Sequence, residues 1–200
     1  MGGARVSKDV MKVRCGWCLK DQAYMDYHDN VWGHPEHNDK ALFAKLLLDG
    51  AQAGLSWHTI LIRTEGYRKA FDNWNTEKIA RYGKKDVERL LNDPGIIRNR
   101  SKVESAIKNA QAYLKIMENG KGSFDGFLWK HVDHTPIVNQ WKELKQIPAS
   151  TPKSDAMSKD LKNHGFSFVG TTIVYAFMQA CGMVDDHLVT CWRRTERPAK

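Results

Sequence analysis

The stretch KKDVERLLNDPGIIRNRSKVESAIKNA, residues 84–110, carries two helical patterns on either side of a short loop, Asn92-Asp93-Pro94-Gly95. In the second pattern Ser101 and Glu104 form the capping-box sequence S-K-V-E. Val103, Ile107, Ala110 and Leu114 then keep one apolar face, with Gly120 as a stop signal. A helix–loop–helix of this kind can offer the backbone N–H groups at the start of its second helix to a phosphate, where the helix dipole also favours an anion. Arg98, Arg100 and Lys102 sit at that point, placed to neutralise neighbouring phosphates. The plainer account is a turn between two core helices with solvated charges.

Helical periodicity continues outward in both directions. Asp39 is positioned to cap a helix with Leu42, Phe43, Leu46 and Leu47 at core spacing. Ser154 opens a helix that Gly165 closes, and residues 171–181, TTIVYAFMQAC, read as a buried helix despite their β-branched start. Residues 120–153 are richer in Gly, Pro and His and read as irregular with short helical turns. The expected fold is all-α. Residues 1–13 are expected to be a flexible tail, 14–192 a single unit or two tightly packed lobes, and 193–200 a basic tail.

At 200 residues, with 42% apolar and 27% charged residues, the chain can bury a sizeable core and has an ordinary soluble composition. Lys plus Arg number 31 against 23 for Asp plus Glu, and the net charge of +8 points toward a polyanionic partner. No apolar run approaches the ~18 residues of a membrane span. The start, MGGARVSKDV, lacks the apolar region of a secretory signal, and Val6 stands where a myristoylation motif needs Ser or Thr. Four cysteines without such a signal suggest a reducing, intracellular setting, where metal ligation or plain burial outranks disulfides.

DDHLVTC, residues 185–191, pairs His187 with Cys191, and CGWC, residues 15–18, is followed by His28. Spacing alone favours a zinc site of Cys15, Cys18, His187 and Cys191; a rival set is Cys15, His28, His187 and Cys191. Either ties the chain ends together, and four protein ligands make the metal structural. In AYMDYHDNVWG, Tyr24, Tyr27 and Trp32 crowd together, and Trp57 follows in AGLSW. Such clusters are usually core, but electron-rich faces also suit a flat cationic ligand. Asp49, in LLLDGAQAG, is either a surface position at a helix end or a lone acid projecting into an aromatic pocket.

RCGW, Y-x-x-YHDNVWG, AQAGLSW, PGIIRNRSK, GFSFVGTTI with YAFMQACG, and the final H-x-x-x-C together resemble the 3-methyladenine DNA glycosylase I family, over about Arg14 to Cys191. The loop at 92–95 likewise resembles the helix-hairpin-helix of DNA repair proteins, although Ile97 replaces a glycine often found there. The resemblance implies an all-α helix-hairpin-helix glycosylase fold. It implies one structural zinc on Cys15, His28, His187 and Cys191, joining the two ends of the chain, and no organic cofactor. It implies a base pocket at Tyr24, Tyr27, Trp32 and Trp57, an essential acid at position 49, and a loop with Gly54 and Leu55 that enters the duplex. The implied partner is double-stranded alkylated DNA, acted on by a monomer that releases 3-methyladenine and leaves an abasic site. One departure matters: the family has Glu where this chain has Asp49. A non-catalytic damage-binding protein of the same fold, or an interaction module with an incidental basic surface, are the competing expectations.

Overall fold

Side-chain caps start most of the helices, and the apolar faces that follow decide how they pack. The computed structural model describes residues 12–118 and 123–195. Asp21 accepts from the Tyr24 N–H and opens α1, Gln22–Asn30. Asn38, rather than Asp39, caps α2, Asp39–Gln52. Asp39 is the first helical residue instead, and its carboxylate accepts from the Asp125 N–H at 2.7 Å, fastening α2 to a later helix. Leu42, Phe43, Leu46 and Leu47 are all buried, as their spacing requires. Then come α3 (Trp57–Leu61), α4 (Thr64–Ala70), α5 (Thr76–Ala80) and α6 (Lys84–Leu91).

The long helix α7 spans Arg100–Glu118. Its N-terminal N–H groups are met by Asn99, whose side chain accepts from Lys102 N at 3.1 Å. Ser101 and Glu104 therefore lie inside the helix and are exposed, because Asn99 starts it earlier than the S-K-V-E pattern needs. The buried face runs through Val103, Ala106, Ala110 and Tyr113, with Ile107 and Leu114 half-buried beside it. Gly120 lies outside the described residues. The region expected to be irregular holds α8 (Phe124–Trp129), a few short turns and a two-residue strand β1, Ile137–Val138. Thr151 and Ser154 cap α9, Pro152–Asn163, reciprocally, so the helix begins two residues before Ser154; Gly165, at φ +90°, follows its end. The buried helix expected at 171–181 is α10, Thr171–Ala180. Strand β2, Val184–Asp185, pairs in parallel with β1, and α11 spans Trp192–Thr195. Residues 1–11 and 196–200, most of the two expected tails, lie outside the described residues.

Helix α2 is the hub: it packs against α3, α7, α8 and α10. Its Leu42, Phe43 and Leu46 meet a core that includes Phe124, Trp129, Met157 and Phe177, all fully buried or nearly so. Each such side chain contributes on the order of 1.5–3 kcal/mol by leaving water. Two contacts fix the α6–turn–α7 hairpin against the rest. A Cβ on Gly66 of α4 would stand 2.3 Å from the Gly95 carbonyl oxygen, so this crossing requires glycine. At the other side the Lys102 ammonium donates to the carbonyls of Ala51 and Ala53 at 2.8 and 2.7 Å, closing the C-terminal end of α2. No described helix is long and apolar enough to cross a membrane.

Candidate active site and metal-binding cluster

Helix α1 feeds two sites from one face. Tyr24 and Tyr27, three residues apart, turn toward α2 and α3, and His28 turns toward the chain ends. A cavity of about 210 Å³ opens between these elements, lined by Trp17, Tyr24, Tyr27, Trp32, Lys45, Asp49, Gln52, Trp57 and Gln179 among others. The rings form a continuous wall: Trp17 meets Tyr24 and Trp32 edge-on at 5.2 and 5.1 Å, and Tyr27 lies 5.3 Å from Trp57.

Asp49 is 2% exposed, on the last turns of α2. Its Oδ1 pairs with Lys45, one helical turn earlier. Its Oδ2 is buried without a protein partner, and so is the indole Nε1 of Trp57. Burial pushes the Asp49 carboxyl above the ordinary carboxylate range; Lys45 opposes this only in part. Buried polar atoms without partners are rare and costly. An acceptor and a donor left open in one aromatic cavity make it a place for a flat ligand carrying both kinds of group.

The other site lies behind Trp32. The ligand atoms of Cys15, His28, His187 and Cys191 are all within 4.8 Å of one another, and all four residues are buried. His187 Nδ1 is 3.7 Å from Cys15 Sγ and 3.6 Å from Cys191 Sγ, and His28 Nε2 is 3.5 Å from Cys191 Sγ. A tetrahedral ion with bonds of about 2.3 Å to sulfur and 2.0–2.1 Å to nitrogen sets S···N edges near 3.6 Å, so the donor set fits such a metal. The Cys15 thiol and both imidazoles favour the thiolate of Cys191, whereas sharing with Cys191 and burial hold the Cys15 thiol protonated when no ion is bound. Asp29 Oδ1 stands 2.8 Å from His28 Nδ1 and also binds Arg14, an outer carboxylate that orients a ligand histidine. Cys18 is not in the cluster: its thiol donates to the Cys15 carbonyl at 3.0 Å. The set favoured by spacing alone is thereby corrected, because the C-x-x-C turn points the second sulfur back at its own backbone.

A family model for methyladenine glycosylases matches residues 17–194. The chain belongs to this family. It is 52% identical to DNA-3-methyladenine glycosylase 1 of Escherichia coli (strain K12), covering 89% of this chain and 95% of that one. It is 46% identical to the DNA-3-methyladenine glycosylase of Haemophilus influenzae, covering 90% and 97%. The fold superposes with a TM-score of 0.87 on 3-methyladenine DNA glycosylase I from Staphylococcus aureus, a structure described as the basis of 3-methyladenine recognition, at 40% identity over 90% and 96% of the two chains.

Of the residues singled out in the sequence, the structure brings Tyr24, Tyr27, Trp32, Trp57 and Asp49 to one cavity, and Cys15, His28, His187 and Cys191 to one cluster. Leu55 stands 40% exposed on the turn after α2, beside Gly54 at φ +74°. The basic residues of the hairpin do not act alike. Arg98 is exposed, Arg100 pairs with Glu88 at 2.8 Å, and Lys102 turns inward to the α2 carbonyls. The Gly95 N–H is itself taken by Asp93 Oδ1 at 2.7 Å.

Sequence reasoning missed Trp17, Lys45, Gln52 and Gln179 in the cavity wall. Lys45 was findable, lying four residues before Asp49 on a recognised helix. Gln179 was not, because its place depends on Asp186, a buried carboxylate that accepts from Asn139, Trp141, Tyr175 and Gln179 at 2.7–2.8 Å.

Proposed function

We propose that the protein is a monofunctional DNA glycosylase that flips an alkylated adenine out of the duplex and releases 3-methyladenine, leaving an abasic site. Supporting this is the membership of the family together with one observation: Asp49 Oδ2 and Trp57 Nε1 stand buried and unpaired in an aromatic cavity of about 210 Å³. A base within a duplex cannot be reached, so it must leave the stack to enter such a site. Alkylation at N3 makes the attached adenine cationic and already weakens its bond to the sugar. The aromatic walls of Tyr24, Tyr27, Trp32 and Trp57 enclose the base, and Asp49 accepts a hydrogen bond from its edge. Water then adds at the sugar carbon, and the electron pair of the broken bond stays on the departing base. No amine nucleophile and no strand cleavage are needed.

The helix-hairpin-helix reading of α6, the turn and α7 assigns Gly95, Arg98 and Arg100 to the DNA backbone, and Leu55 to the gap left by the flipped base. Lys102 serves the same end indirectly by holding the α2 terminus that leads to Leu55. The cluster of Cys15, His28, His187 and Cys191 holds one zinc ion. With four protein ligands it supplies no open position for chemistry and acts as a clasp between the chain ends, within a single unit over 14–192 that works as a monomer. Asp49 in place of Glu leaves a carboxylate in the cavity, and nothing favours the non-catalytic alternative. The test is release of 3-methyladenine from alkylated duplex DNA: the protein releases it, and Asp49→Asn releases it far more slowly. Absence of release by the unaltered protein would refute the activity.

A further inference from the structure

The cavity already contains a cation. The Lys45 ammonium pairs with Asp49 Oδ1 and lies 4.0 Å from the centroid of the Trp57 ring. Its side chain is 14% exposed, held between the only two cavity residues among those described whose buried polar atoms lack partners. Lys45 thus occupies the two features that would attract a cationic base, the carboxylate and the electron-rich face of an indole. Asp49 is left with one open oxygen, and the carboxylate and ammonium together carry no net charge.

Resting on the glycosylase reading above, we propose that Lys45 is a specificity-determining residue. It acts as a resident cation that disfavours permanently cationic bases and sets the pocket for a base that becomes neutral as it leaves. The chemistry follows from where the charge goes. While the lesion is attached, its ring is positive. When the glycosidic bond breaks, the electron pair stays on the ring and cancels that charge, and the sugar carbon takes the positive charge until water adds and loses a proton. An ammonium fixed beside the ring repels the attached, cationic form and is indifferent to the released, neutral one. Asp49 keeps Lys45 in place, and its remaining oxygen and the Trp57 N–H read the base edge.

The experiment measures binding of two flat ligands, neutral 3-methyladenine at pH 8 and the permanently charged 3,9-dimethyladeninium ion. They are titrated against the intact protein, Lys45→Met and Lys45→Arg by tryptophan fluorescence and calorimetry. Removing one charge at contact distance in a partly buried site should tighten the cation by about tenfold or more in Lys45→Met. The neutral base should change by less than about threefold, because no charge–charge interaction is lost. Lys45→Arg keeps the charge and should keep the unaltered ratio of the two affinities, which also shows that the pocket survives substitution here. An unchanged ratio in Lys45→Met, or equal changes for both ligands, would overturn the proposal; no binding of either ligand to any form would remove the pocket and the proposal with it. Base release by the unaltered protein is scored separately. An inert protein whose ligand ratio still shifts would sink the activity and spare the role of Lys45, and an active one whose ratio does not shift would do the reverse.

Discussion

The Cys/His cluster and the aromatic cavity are neighbours served by the same helix, yet they are built on opposite terms. In the cluster the four ligand atoms lie within 4.8 Å of one another, with His187 Nδ1 and His28 Nε2 3.5–3.7 Å from cysteine sulfurs, and the second nitrogen of His28 is met by Asp29. In the cavity, an acid oxygen and an indole N–H are buried with nothing to bind. An ion would engage all four facing ligand atoms of the first arrangement, leaving only His187 Nε2, on the far side of its ring, buried without a protein partner. The second bears a standing cost, because a buried polar group without a partner forfeits about 1–3 kcal/mol that a bound ligand can return. Trp32 joins the two, its ring 4.6 Å from the His187 ring on one side and part of the cavity wall on the other. On the reading proposed above, the difference separates what holds the fold from what receives the base.

The comparison breaks most visibly at the cluster. Cys191→Ser should lose the bound metal and lower the melting temperature by roughly 10 °C or more, since metal binding is folding energy and about 1 kcal/mol shifts a domain of this size by 2–4 °C. Cys18→Ser, whose thiol serves only the Cys15 carbonyl, should keep about one zinc per chain by elemental analysis. Metal loss from Cys18→Ser alone would restore the C-x-x-C set. Because Trp32 leans on His187, Cys191→Ser should also lose base release with its fold.

At the cavity the expected effect falls chiefly on rate. Asp49→Asn removes the charge while keeping size, and single-turnover release should fall on the order of 100-fold, the scale of one misplaced or missing contact in a site. Asp49→Glu, restoring the family residue, should raise release above that of the unaltered protein. A rate unchanged in both variants would return Asp49 to an incidental polar residue at a helix end. The pH profile gives a second check. Burial favours the neutral acid, so the folded pKa of Asp49 lies above its unfolded value. If the ionised form accepts the hydrogen bond from the base, as proposed, release should fall as the pH drops through that raised value, at a higher pH than an ordinary Asp near 3.9 would give. For stability the sign is reversed: the contribution of Asp49 is fully present below its unfolded pKa and lost as pH rises through the folded one. The melting temperature of the unaltered protein should therefore gain on that of Asp49→Asn upon acidification.

How much of this could be read beforehand divides along the same line. The helices at 39–52, 100–118 and 171–180 follow from apolar spacing, and their buried faces lie where that spacing puts them. Their first residues were less readable, because Asn38 and Asn99 compete with Asp39 and Ser101 for the same N–H groups and only the path of the chain decides between them. The metal set illustrates the limit of spacing: Cys18 and His28 are both near Cys15 in sequence, and a short turn at Gly16–Cys18 sends one away and leaves the other. The family resemblance named the four residues that the fold brings together, where spacing named a different set. Lys102 shows a similar limit. Its position at the start of α7 suggests an outward charge, but the end of α2, fifty residues earlier in the chain, supplies two carbonyls that draw it in. Contacts between distant segments, such as Asp186 with Asn139 and Trp141 or Gly66 with Gly95, leave no local trace.

The smallest expected effect distinguishes Arg98 from Lys102, two of the hairpin's cations. Arg98 is exposed at the turn, whereas Lys102 is spent on Ala51 and Ala53. A phosphate contact releases condensed counterions when it forms, so its loss weakens binding to all sequences alike and reduces the salt slope by about one unit. Arg98→Ala should do this, with base release from saturated enzyme little changed. Lys102→Met should leave the salt slope alone. Instead it frees the carbonyl end of α2 and loosens the turn that carries Leu55, so release at saturation should drop while affinity for undamaged duplex holds. Fluorescence of 2-aminopurine placed beside the lesion would report the loss directly, as weaker unstacking in Lys102→Met than in Arg98→Ala. If Lys102→Met instead lowered the salt slope and left unstacking intact, the ammonium would have to leave its carbonyls for a phosphate when DNA binds, and Lys102 would join the arginines in gripping the backbone.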